Sequence, residues 1–362
     1  MTSSSSQHIG VLLVDDSAVI RSALSKIIEA ESDLKVVGSA SNGESAIVAA
    51  KLYKPDIIIL DIEMPVMDGL TALPELLKIS PNSKVIMFSA LTEKGGTATL
   101  KAFSLGAVEC IVKPTAQEGV GPGSEFQKNI VQVIRSLAET KPVPTTPIAT
   151  AQKTTDDDGI TLYDDTLSYK SKPTLLAIGS STGGPNALFE VMQNFKDFDI
   201  PIILTQHMPA TFTRILAQHI EKKTGMPACE GEDGMVLEAG KVYVAPGDYH
   251  MEFEREDALS ETKIKINQNP PVNFCRPAVD PMFQSALKIY GNRMLGVILT
   301  GMGNDGEVGG GDLVKAGGRL IAQDEETSVV WGMPGAVAKA GICSAVLPLN
   351  EIGPWVRRAV QK

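Results

Sequence analysis

A serine in a glycine-rich turn has the clearest potential for chemistry in this chain. Residues 179–183, Gly-Ser-Ser-Thr-Gly, fit the G-x-S-x-G pattern and follow an apolar run at residues 175–178. In such an arrangement a sharp turn presents the serine hydroxyl at a strand end, where amide N–H groups of the next helix lie near a developing oxyanion. The pattern predicts that Ser181 is a nucleophile, with the adjacent Ser180 as the alternative hydroxyl.

A serine hydroxyl needs a base to remove its proton, and the chain has four histidines from which to choose. His207 directly follows an apolar run at the sheet edge where Ser181 is expected, and we favour it as the general base. His250, in a loop after a predicted strand, is the second candidate. His8 precedes the first strand of the chain, and His219 lies on a predicted helix with polar neighbours, which is typical of a surface residue.

The carboxylate that orients the base is expected at a third strand end. Asp305 follows the apolar run 295–301 within a glycine-rich loop, although its Asn-Asp-Gly context is also typical of a simple turn. Asp312 is the competing carboxylate, but it is predicted to lie inside the following helix. Because glycines let backbone approach a substrate closely, the Met302 N–H is a candidate oxyanion donor.

The first part of the chain has its own cluster of polar residues at predicted strand ends. Asp15, Asp16, Asp61, Ser89 and Lys113 each follow or close an apolar run. In a parallel sheet these ends share one edge, where clustered carboxylates favour a hard divalent cation. A carboxylate beside that cation can attack a phosphoryl group while the lysine neutralises its oxygens.

Alternating strand and helix patterns must position both sets of residues. The apolar runs of strand length cover residues 9–14, 56–60, 84–88 and 107–112 in the first part, and residues 174–179, 200–206, 241–246, 295–301 and 319–323 in the second. Strands separated by helices predict parallel sheets covered on both faces. We therefore expect two α/β domains, over residues 8–138 and 173–362, joined by a flexible linker at 139–172 that is rich in Pro, Thr and Asp.

Composition excludes several function classes. The net charge of −10 disfavours nucleic acid as a partner, because phosphate binding requires a basic face. The chain shows no signal-peptide pattern and no apolar stretch approaching the roughly 20 residues of a membrane span. Its four cysteines are scattered without a C-x-x-C pair, which is typical of reduced thiols. We expect a cytoplasmic protein that is not inserted in a membrane.

Residues 8–138 strongly resemble the receiver domain of two-component response regulators. The resemblance implies a flavodoxin-like, five-stranded parallel sheet and Asp61 as the phosphoacceptor. It also implies a Mg²⁺ site formed by Asp15, Asp16 and Asp61, with the backbone carbonyl of Glu63 as a further ligand. A histidine kinase is the implied phosphodonor.

The same resemblance implies that Ser89 is the switch hydroxyl and Lys113 the residue that contacts the phosphoryl group. One departure is visible at Cys110, where such domains often carry an aromatic residue three positions before the lysine. This departure argues against signalling through an aromatic flip but not against phosphorylation.

The segments IGSSTGG, TQHMP, APGDYHM, LTGMGNDG and WGMPGA follow one another in the second part of the chain. In this order they closely resemble the catalytic domain of the protein-glutamate methylesterases of bacterial chemotaxis, the CheB family. The chain order Ser…His…Asp differs from that of α/β-hydrolases. The resemblance implies Ser181, His207 and Asp305 as catalytic residues. The implied reaction needs no cofactor: it hydrolyses glutamate γ-methyl esters on methylated chemoreceptors, with glutamine deamidation as a second activity.

Two other functions, dinucleotide binding and DNA binding, fit the sequence of the second domain less well. A dinucleotide-binding domain also uses a glycine turn after a strand, but GSSTGG lacks the G-x-G-x-x-G spacing. A DNA-binding output domain is disfavoured by the acidic charge and by the α/β pattern.

Overall fold

The computed structural model describes residues 8–114, 123–139, 162–163 and 172–361, which form two compact units, residues 1–142 and 143–362. Most of the predicted linker, 139–172, lies outside the described residues. Within the part that is described, the Tyr163 N–H donates to the Cys343 carbonyl at 2.8 Å, and the Tyr163 ring packs against the core of the second unit.

The first unit is a five-stranded, fully parallel sheet with helices between its strands. The order β2-β1-β3-β4-β5 confirms the predicted flavodoxin-like fold. Its elements are β1 (Ile9–Val14), α1 (Ala18–Glu29), β2 (Leu34–Ala40), α2 (Gly43–Tyr53), β3 (Ile57–Asp61), α3 (Gly69–Ile79), β4 (Lys84–Ser89), α4 (Glu93–Ser104), β5 (Glu109–Val112) and α5 (Glu125–Ala138). Strand order reverses beside β1, so the ends of β1 and β3 border the crevice where open α/β sheets bind ligands.

The second unit is also doubly wound, around a seven-stranded parallel sheet of order β14-β13-β12-β6-β7-β9-β8. This confirms the predicted mostly parallel architecture. Its elements are β6 (Leu175–Ser180), α6 (Gly184–Met192), β7 (Ile202–Gln206), α7 (Phe212–Thr224), β8 (Ala228–Glu230), β9 (Val242–Val244), β10 (His250–Glu254), β11 (Lys263–Asn267), α8 (Val279–Tyr290), β12 (Met294–Ile298), α9 (Glu307–Lys315), β13 (Arg319–Gln323), α10 (Met333–Lys339), β14 (Ala345–Leu347) and α11 (Leu349–Gln361).

Three adjacent central strands, β12, β6 and β7, position the candidate site of this unit. β6 is buried along its whole length, as are β7 and β12, which explains why all three read as continuous apolar runs. The chain first adds β7, β8 and β9 on one side of β6, with β9 between β7 and β8, and later adds β12 on the other side. The carboxyl ends of β6 and β12 therefore flank the switch point of the sheet.

One antiparallel hairpin was not expected from the sequence. β10 and β11 pair in antiparallel register from His250 opposite Asn267 to Glu254 opposite Lys263. The prediction that His250 lies in a loop is wrong, because this buried residue begins β10. Among the described residues, no helix combines the length and apolarity needed to cross a membrane.

Two glycines of the second unit differ sharply in the space available for a side chain. A Cβ at Gly184 would overlap the Gln206 Oε1 atom and lie 3.0 Å from Ser180 Cβ, whereas a Cβ at Gly311 would meet nothing within 4 Å. We expect Gly184→Ala to lower the free energy of unfolding by about 1–3 kcal/mol through overpacking. Gly311→Ala in α9 is the matched control, and it should raise that energy by about 0.5–1 kcal/mol. Calorimetric unfolding of the full chain measures both, and an unchanged melting temperature in Gly184→Ala would contradict the packing described.

Candidate functional sites

Ser181 lies in the tight turn that joins β6 to α6. Its N–H donates to the Thr300 carbonyl at 3.0 Å, and its carbonyl accepts from the Gly184 N–H at 2.7 Å. Gly183 has a φ of 78°, and a Cβ there would lie 2.6 Å from Val329 Cβ, so the turn requires glycine at this position. The turn exposes part of Ser181 but none of Ser180.

Gln206, the last residue of β7, ties the nucleophile turn to the neighbouring strand. Its Oε1 accepts from the Ser180 hydroxyl at 2.7 Å, and its Nε2 donates to the carbonyls of Ser181 at 2.9 Å and His207 at 3.1 Å. The buried Ser180 hydroxyl is thus engaged inside the fold. This favours Ser181 over Ser180 as the hydroxyl that meets a substrate.

His207 and Asp305, predicted separately from two strand ends, form a pair. The His207 Nε2 lies 2.8 Å from Asp305 Oδ2, and the two side chains are only 11% and 2% exposed. The His207 N–H also donates to the Ser180 carbonyl at 3.0 Å, which keeps the histidine beside the nucleophile turn. Among the described residues, the Ser181 hydroxyl makes no hydrogen bond to His207. Such contacts are often long in the absence of substrate.

Asp305 is held by the amino end of α8. Its Oδ2 accepts from the Val279 N–H at 2.6 Å, and its Oδ1 accepts from the Asp280 N–H at 3.1 Å and from Asn273 Nδ2 at 3.2 Å. No α8 residue caps the helix through its own side chain, so Asp305 supplies the capping carboxylate from another element. Burial alone would raise the pKa of Asp305, but the contacts with His207 and these donors lower it.

Asp280 makes the reciprocal contacts at the start of α9. Its Oδ1 accepts from the Gly306 N–H at 3.1 Å and the Gly309 N–H at 2.7 Å, and its Oδ2 accepts from Asn273 Nδ2 at 3.2 Å. Burial raises the pKa of Asp280 to about 6, and the charge of Asp305 adds to the increase. The two helices therefore exchange capping carboxylates.

The pKa of His207 reflects opposing effects. Burial lowers it, but the hydrogen bond to Asp305, together with the neighbouring Cys275, outweighs burial and raises the pKa of His207 above its ordinary value. The two partners shift in the directions expected of an ion pair, upward for the imidazole and downward for the carboxyl.

The loop after β12 approaches Ser181 closely. A Cβ at Gly301 would lie 2.8 Å from Ser181 Cβ and 3.0 Å from Ser181 N, so only glycine allows this approach. Met302, the predicted oxyanion donor, is the next residue and is half-buried.

The remaining candidates lie elsewhere. His250 Nε2 contacts the Pro270 carbonyl at 3.2 Å, and Asp312 lies inside α9, as predicted, bonded to Gln284. His219 is more enclosed than a surface residue, because it is half-buried and packs against Phe189 with ring centroids 6.1 Å apart.

In the first unit, Lys113 joins two buried carboxylates at the sheet edge. Its Nζ lies 2.9 Å from Asp15 Oδ2 and 2.7 Å from Asp61 Oδ2, and both aspartates are at most 2% exposed. Ser17, not either aspartate of the Asp15-Asp16 pair, is the N-cap of α1. The aspartate pair is therefore not explained by helix capping.

Asp16, which is exposed, completes a group of three carboxylates. One oxygen each from Asp15, Asp16 and Asp61 lie within 4.8 Å of one another. Burial raises the pKa of Asp61 to about 6 even though Lys113 lowers it. Three carboxylates and one ammonium carry a net charge of −2, and this set of hard oxygen donors fits Mg²⁺.

The other receiver residues surround this group. Ser89 ends β4 and is buried, with its hydroxyl donating to the Ala90 carbonyl at 3.3 Å, and its own carbonyl accepts from the Lys113 N–H at 2.7 Å. The Glu63 side chain pairs with Lys94 at 2.5 Å on the surface, while its N–H donates to Asp61 Oδ1 at 3.4 Å. Cys110 lies beside the Thr99 hydroxyl at 3.4 Å.

Comparison with known proteins places these two sites in a family. A family model described as CheB methylesterase matches residues 176–356, and one described as response regulator receiver domain matches residues 11–120. The chain belongs to the CheB methylesterase family. It is accordingly an enzyme that carries a receiver domain.

Similar CheB proteins extend over nearly the whole chain. A protein-glutamate methylesterase/protein-glutamine glutaminase from Paramagnetospirillum magneticum is 47% identical, covering 98% of this chain and 97% of its own. One from Azospirillum brasilense is 47% identical, covering 96% and 92%. The crystal structure of the Thermotoga maritima CheB methylesterase catalytic domain, 38% identical, covers 52% of this chain and 99% of its own with a TM-score of 0.50.

Four residues that contact Ser181, His207 or Asp305 were not predicted from the sequence. Gln206 precedes His207 and could have been noticed as a polar residue at the end of an apolar strand. Asn273, Cys275 and Asp280 lie on a segment without an apolar run, and their contacts with His207 and Asp305 join residues that are distant in sequence.

The His207–Asp305 pair predicts a pH-dependent contribution to stability. The raised pKa of His207 means that its contribution to stability is complete below the ordinary pKa of 6.5 and is lost as the pH rises through the raised pKa. We expect His207→Gln to lower the free energy of unfolding by about 1–3 kcal/mol near pH 6 and by less near pH 10. Thermal unfolding at the two pH values measures this difference.

His219→Gln is the matched control. Burial together with Lys223 and Lys222 lowers the pKa of His219, so its contribution declines as the pH falls and the slope has the opposite sign. Equal slopes for the two variants would contradict the ion pair.

Proposed function

We propose that the second unit hydrolyses glutamate γ-methyl esters on methylated chemoreceptors through Ser181, His207 and Asp305. The observation that carries this proposal is the 2.8 Å contact between His207 Nε2 and Asp305 Oδ2, in loops that adjoin the Ser181 turn. The names of the relatives, protein-glutamate methylesterase/protein-glutamine glutaminase, support the substrate class.

The arrangement supports a two-step acyl transfer. Because Nε2 of His207 faces Asp305, Nδ1 is the ring nitrogen that takes the Ser181 proton as Oγ attacks the ester carbonyl. The imidazolium then gives this proton to the departing methoxide, and methanol leaves an acyl-enzyme. Water, deprotonated by His207, attacks the acyl carbon, and the proton returns to Ser181 as the glutamate carboxylate is released. Asp305 fixes the ring orientation and stabilises the imidazolium.

Two features support stabilisation of the oxyanion and activity on amides. The close approach of Gly301 brings the backbone of Met302 near Ser181, so its N–H is the proposed donor to the developing oxyanion. In the same sequence a γ-amide would release ammonia in place of methanol. Glutamine deamidation is therefore the proposed second activity.

We further propose that phosphorylation of Asp61 regulates the enzyme in the cytoplasm, with a histidine kinase as phosphodonor. Mg²⁺ held by Asp15, Asp16, Asp61 and the Glu63 carbonyl would neutralise phosphoryl charge. Lys113 already contacts Asp61 and is placed to bind a phosphoryl oxygen. Ser89, at the end of β4, is the proposed switch hydroxyl.

Removal of the proposed nucleophile gives a direct test. We expect Ser181→Ala to lower kcat for methanol release from methylated receptor by at least about 10³-fold, because the substitution removes the hydroxyl proposed to form the acyl-enzyme. Ser180→Ala, which loses only the bond to Gln206, should stay at least about 100-fold more active than Ser181→Ala. Ser260→Ala, in the β10–β11 loop, controls for substitution itself. Wild-type turnover in Ser181→Ala would refute the proposal.

The receiver site is tested with a small acyl phosphate as phosphodonor in the presence of Mg²⁺. Wild-type methanol release should rise when the donor is added, and Asp61→Asn should not respond because it has no carboxylate to phosphorylate. Asp68→Asn is the matched control, since asparagine can still cap α3 and should leave the response intact. A normal response in Asp61→Asn would exclude this residue as phosphoacceptor.

A further inference from the structure

Two carboxylates and one amide form a cluster behind His207. Asp305 contacts the histidine directly, and the N–H of Asp280, at the start of α8, donates to Asp305 Oδ1 at 3.1 Å. Asn273 Nδ2 lies 3.2 Å from Asp305 Oδ1 and 3.2 Å from Asp280 Oδ2. An amide nitrogen carries two hydrogens, so it can donate one to each carboxylate at the same time.

The cluster is more than a pair of helix caps. Capping of α9 uses only Asp280 Oδ1, through the Gly306 and Gly309 N–H groups. The other oxygen of Asp280, Oδ2, accepts from Asn273. The same Asn273 amide also donates to Asp305, the carboxylate that contacts the His207 imidazole. Asn273 adopts a φ of 51°, a left-handed conformation that asparagine and aspartate tolerate better than most residues. The backbone is therefore bent so that this amide reaches both carboxylates.

We propose that Asp280, bridged by Asn273, is a positioning residue of the esterase that acts on His207 through Asp305, so that the imidazole responds to two negative charges. This inference rests on the proposed catalytic roles of Ser181, His207 and Asp305. Asp280 touches neither nucleophile nor base among the described contacts; it fixes the orientation of Asp305 and adds its charge to the field at the histidine.

Electrostatics gives the direction in which the charge of Asp280 shifts the protonation of His207. The groups that face His207 are Asp305 and the Cys275 thiol, and those that face Asp280 are Asp305, Asn273 and the two glycine N–H groups. A negative charge near the imidazole favours its protonated form, which cannot act as a base. Removing the charge of Asp280 should therefore extend activity to lower pH, and adding a charge at position 273 should restrict it to higher pH.

The test compares the pH dependence of kcat/KM for methanol release, whose acid limb reports the essential base of the free enzyme. We expect Asp280→Asn to move the midpoint of this limb down by roughly one pH unit and Asn273→Asp to move it up by a similar amount. The double variant Asp280→Asn/Asn273→Asp restores the net charge and the donor–acceptor pair between positions 273 and 280, but it replaces the amide donor to Asp305 by a carboxylate. Its midpoint should therefore lie between those of the two single variants.

Asn269→Asp is the matched control, because it adds the same charge at an exposed position of the same segment whose side chain makes none of the described hydrogen bonds to His207, Asp305 or Asp280. Its midpoint should equal that of the wild type. Thermal unfolding identifies any variant that does not fold. Asn273 is exposed, so Asn273→Asp keeps the test informative even if Asp280→Asn is unstable.

A merely structural role for Asp280 would lower kcat in both single variants and leave both midpoints unchanged. That outcome, or shifts in the same direction, would overturn the inference. Failure of the proposed function has a different signature: Ser181→Ala would retain wild-type turnover whatever the behaviour of the cluster.

Discussion

The arrangement of the candidate site in the second unit depends on how the charge of one buried carboxylate, that of Asp305, is compensated by its partners. Asp305 is almost fully enclosed, and a carboxylate in such a place is costly unless it is paired and hydrogen-bonded. Its two oxygens meet an imidazole, two N–H groups of α8 and one side-chain amide. The carboxylate therefore stays ionised, and the histidine has one fixed orientation. Without these donors the same residue would be neutral or displaced, and the imidazole would have no partner.

Both units place their chemistry by the same topological rule. In the first, Asp15 follows β1 and Asp61 ends β3, and these two strands border the reversal of strand order. In the second, Ser181, His207 and Asp305 follow three adjacent central strands. Parallel strands leave their carboxyl ends on one edge, so residues distant in sequence meet without any long excursion of the chain. The two sites differ in what surrounds the anions: an ammonium in the receiver and an imidazole with helix N–H groups in the esterase.

The fold class could be predicted, and the candidate site residues could be proposed, because their signals are local. Ser181, His207 and Asp305 each follow an apolar run that is buried on both faces, and such runs are recognisable without knowledge of the fold. β2 was harder to recognise, since Gly38 and Ser39 interrupt its apolar pattern. The hairpin of β10 and β11 and the contacts of Asn273 and Asp280 depend on packing between distant segments. No spacing within the sequence encodes those contacts.

The exchange of capping carboxylates between α8 and α9 links the two helix ends to each other. Neither helix has a side-chain acceptor of its own at the N-cap, so each end is completed by a carboxylate that the packing of the two segments supplies. Asp305 meets the Val279 and Asp280 N–H groups, and Asp280 meets the Gly306 and Gly309 N–H groups, across the same contact. A substitution that separated the two helices would therefore remove the donors of Asp305 and the acceptor of α9 together.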